Sequence, residues 1–125
     1  MGMYTELVLK VRLTKNAPRD IINHMFGDGS KPTSLPEHDF FKCPRWGCIG
    51  KCSSFYHHPE SVNSFPKFDF CDSDYLFSRS DLKNYNDEIS LFIDWMQQYI
   101  EGETGDCIGW EWYEEDVVPT LLYKK

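Results

Sequence analysis

The stretch Leu7-Val8-Leu9-Lys10-Val11-Arg12-Leu13 has the period of two that is typical of a β-strand. Its leucines and Val11 share one face, while Lys10, Arg12 and the preceding Glu6 share the other. A strand with one apolar and one polar face belongs to a sheet that is covered on one side. We therefore expect the core to pack on the apolar face of this strand, and Glu6 to face water.

Two segments have the apolar spacing of amphipathic helices. The first is expected to begin at the cap Asn16, with Pro18 in its first turn, and to end at Gly27. The second is expected to run from the cap Asn86 to Gly102. Their predicted buried faces comprise Ile21, Ile22, Met25 and Phe26 in the first helix, and Ile89, Phe92, Ile93, Met96 and Ile100 in the second.

Short apolar runs bounded by turn residues predict the remaining strands. These strands span residues 40–43, 52–57, 67–71, 75–80, 107–113 and 119–123. The resulting order is strand, helix, several strands, helix and two strands, and its short connections favour antiparallel hairpins. The predicted fold class is α+β: a mainly antiparallel sheet with two helices on one face, forming a single domain over residues 3–125.

Composition and charge narrow the classes of function. The chain has 125 residues, 41% of them hydrophobic, and a formal net charge of −7, which argues against direct binding to the phosphates of nucleic acids. No apolar run is long enough to span a bilayer, and no secretory leader is visible. Five cysteines without such a leader predict reduced thiols and a cytoplasmic location.

Aromatic residues make up 16% of the chain, and they alternate with carboxylates between Ile108 and Asp116. Trp110 and Trp112 are expected to share a strand face with Ile108, and at least one tryptophan is expected to pack under the second helix. The remaining rings and acids form a candidate protein-binding surface, because exposed aromatic rings supply much of the affinity at interfaces. This candidate surface comprises Glu111, Tyr113, Glu114, Glu115 and Asp116.

A second candidate surface would bind a small molecule, with a nucleotide as the expected ligand. Its residues are Arg45, Trp46, Tyr56 and Arg79, in which rings could stack a planar base and guanidinium groups could hold a phosphate. The simpler interpretation is that Arg79 pairs with one of the many carboxylates.

The metal-ligand candidates are Cys43, Cys48, Cys52 and His57, with the spacing C-x4-C-x3-C-x4-H. This spacing departs from the close cysteine pairs of zinc sites, so buried apolar roles for Cys43 and Cys52 are favoured. A cysteine–histidine nucleophile could also be built from Cys43, Cys52 or Cys71 with one of the histidines, but no surrounding motif supports it. We expect no cofactor.

Four stretches of the chain resemble small proteins encoded by bacteriophages and prophages. They are Met3-Tyr4-Thr5-Glu6-Leu7, Phe40-Phe41-Lys42-Cys43-Pro44-Arg45-Trp46, Phe77-Ser78-Arg79-Ser80-Asp81-Leu82-Lys83-Asn84-Tyr85 and Pro119-Thr120-Leu121-Leu122-Tyr123. The resemblance implies an accessory protein in a bacterial cytoplasm and brings no catalytic or binding residues with it.

The first hypothesis is accordingly a non-enzymatic protein that binds a host protein, by analogy an inhibitor of antiviral defence. The second is a protein that captures a nucleotide, and the third is a small enzyme or a zinc-stabilised domain. The broad apolar faces are also compatible with a homodimer.

Overall fold

The computed structural model describes residues 4–26, 31–50 and 75–125, and the backbone of 67–69. Its strands are β1 (Thr5–Leu13), β2 (Lys67–Asp69), β3 (Tyr75–Leu82), β4 (Ile100–Glu101), β5 (Cys107–Tyr113) and β6 (Thr120–Tyr123). Its α-helices are α1 (Arg19–Phe26) and α2 (Glu88–Met96). Short 3-10 helices cover Asp39–Lys42, Trp46–Cys48 and Gln97–Tyr99.

The strands form one antiparallel sheet in the order β2-β3-β1-β5-β6. The short strand β4 pairs with the end of β1, where Leu13 faces Ile100. Strand β1 therefore occupies the centre of the sheet, and its alternating apolar residues give it one face for the core. The predicted α+β class, with a mainly antiparallel sheet and two helices on one face, is confirmed.

The core lies between the helices and the apolar face of β1. Leu7, Leu9, Val11 and Leu13 join a single cluster that includes the apolar faces of both helices. Val8, on the opposite face of β1, is also buried but lies outside this cluster. Each fully buried side chain of this size stabilises the fold by about 1.5–3 kcal/mol, so the helices are held mainly by this face.

The predicted strand at residues 40–43 is wrong, because this segment is a 3-10 helix. His38 caps it by accepting a hydrogen bond at Nδ1 from the backbone N–H of Phe40, at 3.1 Å. Phe40 and Phe41 are adjacent and both buried, which a strand on a one-sided core does not allow since neighbouring side chains point to opposite faces. Phe40 packs on Phe92 and Phe41 on Trp95 of α2, with ring centroids 5.3 and 4.9 Å apart.

The helix boundaries also differ from the prediction. Helix α1 begins at Arg19, and the side chain of Asn16 is bonded to Thr14 instead of capping the helix. Helix α2 follows Asp87, which has a φ of 57°. The side chain that accepts a hydrogen bond from the first turn, from the N–H of Ile89, is Asn84 and not the predicted cap Asn86. The helix ends at Met96, so the predicted continuation to Gly102 is wrong.

The predicted strands at 75–80, 107–113 and 119–123 correspond to β3, β5 and β6. The predicted strand at 67–71 corresponds to β2 over its first part, and its end lies outside the described residues. The predicted strand at 52–57 lies wholly outside them.

A β-bulge between Cys107 and Gly109 changes the side-chain phase of β5. Ile108 lies in the core, whereas Trp110 and Trp112 lie opposite Val8 and Glu6 on the other face of the sheet. We call this face, which neither α1 nor α2 covers, the helix-free face. The expectation that both tryptophans share a face with Ile108, with one of them under α2, is therefore wrong. The bulge needs a glycine: Gly109 has a φ of 148°, and a Cβ there would lie 1.9 Å from the carbonyl oxygen of Val8.

The bulge predicts a difference between two Gly→Ala variants. We expect Gly105→Ala to lower the free energy of unfolding by about 1–2 kcal/mol, because Gly105 has a positive φ but open space around it. Gly109→Ala adds a collision with the backbone of β1, so we expect a loss of about 3 kcal/mol or more. Urea denaturation measures both losses. Equal losses would contradict the close approach of β5 to β1.

Candidate functional site

Among the described residues, the two large hydrophobic side chains with the greatest exposure lie in the turn of the β5–β6 hairpin. Val117 is 90% exposed and Val118 is 67% exposed, directly after the exposed acids Glu115 and Asp116. We call these four residues the hairpin surface. Large apolar side chains that neighbour one another in water are typical of a contact surface.

The five residues of the predicted protein-binding surface divide into three groups. Glu115 and Asp116 are exposed on the hairpin surface. Glu114 is half-buried and accepts a hydrogen bond from the backbone N–H of Tyr4, at 2.6 Å, so it has a structural partner. Glu111 and Tyr113 lie opposite Leu7 and Thr5 of β1, which places them on the helix side of the sheet. Apart from Glu114, the predicted residues thus lie on two adjoining features, the hairpin surface and a cleft behind it.

That cleft consists of two cavities whose walls share Glu111. The first, which we call the acidic cavity, has a volume of about 220 Å³ and is lined by Thr5, Asn84, Tyr85, Glu111, Tyr113, Asp116 and Thr120. The second, which we call the apolar cavity, has a volume of about 290 Å³ and is lined by Ile89, Ser90, Ile93, Glu111, Leu121, Leu122, Tyr123 and Lys125. Together they follow the space between α2 and the β5–β6 hairpin.

Glu111 is in an unfavourable environment for a carboxylate. Its atom Oε2 is buried and has no hydrogen-bond partner among the described residues. Burial raises the pKa of Glu111 above its ordinary value, and the nearby charges of Asp116 and Asp87 raise that pKa further. The pKa of Tyr113 is also raised, first by desolvation and then by the charges of Glu115 and Glu114. The charged side chains that line the acidic cavity, Glu111 and Asp116, are both carboxylates.

A second charged cluster lies on the helix-free face. Arg79 Nη2 contacts Glu6 Oε2 at 2.6 Å, and Arg79 Nη1 contacts Asp81 Oδ2 at 3.4 Å. Trp110 Nε1 donates to the other oxygen of Glu6 at 3.4 Å. The expectation that Glu6 faces water is wrong, while the interpretation that Arg79 pairs with carboxylates is confirmed. Sequence reasoning missed the cluster because the register that sets Glu6 opposite Asp81 is not a local property.

The structure does not bring the nucleotide-binding candidates together. Trp46 packs on the core with His24 and Phe41, on the helix side of the sheet. Arg79 pairs opposite Val8 on the other side, so a ligand could not contact both. Arg45 is exposed beside Trp46, and Tyr56 lies outside the described residues.

The structure also does not bring the metal-ligand and thiol candidates together within its described residues. Cys43 is buried, and burial followed by the charges of Glu88 and Asp39 raises the pKa of its thiol. A raised pKa favours the protonated thiol over the thiolate that a nucleophile needs. Cys48 is exposed, whereas Cys52 and His57 lie outside the described residues. Within the described part of the chain, no group of three or more side chains is arranged to hold a metal ion, and the four-ligand zinc site stays a prediction.

Comparisons with known proteins add no relative from which a role could be transferred. No family model, curated protein or solved structure matches this chain. Among the helices that the structure describes, none is long and apolar enough to cross a membrane. The function must therefore be argued from the chain's own residues.

The environment of Glu111 predicts that its ionised form destabilises the protein. Because folding raises the pKa of Glu111, the folded state favours the protonated form, and stability is lost as the pH rises through that pKa. We expect Glu111→Gln to have a higher melting temperature than the wild type at pH about 8, with little difference near the ordinary glutamate pKa of 4.5. Glu115→Gln, at an exposed position, is the control and should change little at either pH. An equal gain at both pH values for Glu111→Gln would contradict the electrostatic explanation.

We expect the stability of the protein to depend strongly on Arg79, the arginine in the charged cluster with Glu6 and Asp81. Arg79→Met would leave two buried carboxylates, Glu6 and Asp81, facing each other, and we expect a loss of about 3–5 kcal/mol in unfolding free energy. Adding Glu6→Gln should restore part of the loss, since it removes one of the two like charges. Chemical denaturation of the single and double variants measures the coupling. Additive losses would show that the ion pair makes no energetic contribution.

Proposed function

We propose that this chain is a non-enzymatic binding protein that engages a basic region of a partner protein through the hairpin surface. The observation that carries the proposal is the exposure of Val117 and Val118 directly beside Glu115 and Asp116. Exposed apolar groups rimmed by charge are a common feature of protein contact sites.

The two parts of the hairpin surface have different roles in this proposal. Burial of a valine side chain contributes about 1.5–3 kcal/mol, so Val117 and Val118 are the source of affinity. The carboxylates of Glu115 and Asp116, in a chain of net charge −7, steer the encounter with a basic partner and set its orientation.

The partner is expected to contact side chains rather than to add a strand to the sheet. Strand β6 ends the described strand order, but Pro119 precedes it and lacks a backbone donor. At its other end, Gln97 of the 3-10 helix after α2 accepts a hydrogen bond from the N–H of Lys125 and donates one to the carbonyl of Tyr123. These groups restrict strand addition along β6.

The resemblance to phage-encoded proteins extends the proposal to the kind of partner. We propose a bacterial host protein as the partner and, by analogy with other small accessory proteins, inhibition of an antiviral defence protein as the result of binding.

Capture of partner proteins from bacterial lysate, followed by affinity measurement on the captured protein, tests the hairpin surface. We expect both Glu115→Lys with Asp116→Lys and Val117→Ser with Val118→Ser to weaken binding at least about tenfold, which is about 1.4 kcal/mol. Raising the salt concentration should shrink the effect of the charge reversals and leave that of the valine variant unchanged, because salt screens exposed charges only.

The matched control is Glu101→Lys with Glu103→Lys. These exposed acids lie at the opposite end of the β5–β6 hairpin, and the change in net charge equals that of the charge-reversal variant. Binding should persist in the control. An equal loss in the control, or full binding by both hairpin variants, would refute the proposed function.

A further inference from the structure

We propose that the acidic cavity is a receptor for one arginine side chain of the partner protein, with Glu111 as its counter-ion. This inference rests on the proposed function and deepens it by naming the chemical group that the cleft behind the hairpin surface recognises. It is carried by the size of the cavity, the state of Glu111, the composition of the walls and the shape of the adjoining cavity.

The volume of the acidic cavity fits a side chain better than a free ligand. It measures about 220 Å³, whereas pockets for cofactors and drug-sized molecules usually occupy about 300–1,000 Å³. A single long side chain inserted from a partner surface is the class of occupant that such a volume accommodates.

Glu111 provides an acceptor that the folded chain leaves unused. Atom Oε2 is buried and has no hydrogen-bond partner among the described residues. A buried acceptor without a donor costs about 1–3 kcal/mol. Because Oε2 itself has no exposed surface, an incoming cation would act through the accessible part of this half-buried side chain and stabilise the charge of the carboxylate. Asp116 lines the same cavity, and the only charged side chains among its described lining residues are these two carboxylates, so the site favours a cation over an anion.

The walls of the acidic cavity favour a guanidinium group over other cations. The lining residues include the aromatic Tyr85 and Tyr113 and the hydroxyl-bearing Thr5 and Thr120. Asn84 also lines the cavity, and its Oδ1 already accepts a hydrogen bond from the N–H of Ile89. A guanidinium group stacks on aromatic rings and presents five N–H donors in a fixed plane, so it can use a carboxylate and several neighbouring oxygens at once. An ammonium group has three donors and is more strongly hydrated.

The apolar cavity sets the surroundings of that arginine in the partner. Its walls include Ile89, Ile93 and Leu121, and it shares Glu111 with the acidic cavity. Lys125 also lines the apolar cavity, and its charge would repel a cation from that side. A partner segment would therefore insert arginine into the acidic cavity and an adjacent apolar side chain into the apolar cavity.

Peptide titration of the isotope-labelled full-length protein tests this inference by NMR. The probes are acetyl-Gly-Leu-Arg-Leu-Gly-amide, the same peptide with citrulline, which is a neutral analogue of arginine, and the same peptide with lysine. We expect the arginine peptide to shift the carboxyl carbon of Glu111 and the ring signals of Tyr85 and Tyr113. The citrulline and lysine peptides should bind at least about tenfold more weakly.

Two single variants supply the matched comparison. Glu111→Gln keeps the shape of the side chain and should abolish the preference for arginine over citrulline. Glu101→Gln removes an exposed acid outside the cleft, and this variant should retain the preference for arginine over citrulline. Equal binding of the arginine and citrulline peptides, an unchanged preference in Glu111→Gln, or equally tight binding of the lysine peptide would each overturn the inference.

The same experiment separates this inference from the proposed function. Val117→Ser with Val118→Ser should lose the partner protein but still bind the arginine peptide, because neither valine lines the acidic cavity. If that variant loses the partner and the peptide shifts never appear, the hairpin surface stands and the arginine site is refuted. If the peptide binds to Glu111 and the valine variant keeps the partner, the hairpin surface is refuted instead.

Discussion

The pairing of β1 with strands on both sides is the constraint on which the rest of the structure depends. Strand β1 bonds to β3 along nearly its whole length and to β5 along its first half. Its apolar face anchors both helices. On the other face, Arg79 of β3 and Trp110 of β5 lie over the first half of β1, so Glu6 and Val8 are also buried. The ion pair of Glu6 with Arg79 is the consequence, since a buried carboxylate needs a partner.

The candidate site depends on one irregularity in this regular sheet. The bulge at Gly109 allows Ile108 to pack in the core and still turns Glu111 and Tyr113 towards the helix side. Without the bulge, strict alternation would place Ile108 and Trp110 on one face. The cleft between α2 and the hairpin therefore has an acid in its wall because the phase of β5 changes two residues earlier. Bulges of this kind commonly redirect a side chain next to a site.

Several groups at the proposed site leave possible interactions unused in the isolated chain. Glu111 is partly buried with an unused oxygen, and Val117 and Val118 are exposed to water. Each would gain from contact with a basic and apolar partner surface. Binding sites often retain such groups because they make association favourable, and substitutions there tend to increase stability at the expense of function. The buried cluster of Glu6, Arg79 and Asp81 has the opposite character, since its charges meet within the chain.

The amino-acid sequence by itself determined the local features that have strong periodicity. These are the strand at Leu7 to Leu13, the apolar faces of the helices, and the β5–β6 hairpin with its acids and rings. Periodicity reports which side chains share a face of one element, so the α+β class follows from it. The sequence also grouped Glu111, Tyr113, Glu115 and Asp116 in one candidate surface. It did not show that Glu115 and Asp116 lie on the hairpin surface while Glu111 and Tyr113 lie in the cleft behind it.

Only the tertiary structure decided how those elements are set against one another. Register paired Glu6 with Asp81, and the bulge at Gly109 separated the tryptophans from Ile108. The segment with Phe40 and Phe41 forms a 3-10 helix because both adjacent rings pack against α2. Each outcome depends on contacts between residues far apart in the chain, whose energies exceed the weak local preferences that a sequence pattern reports.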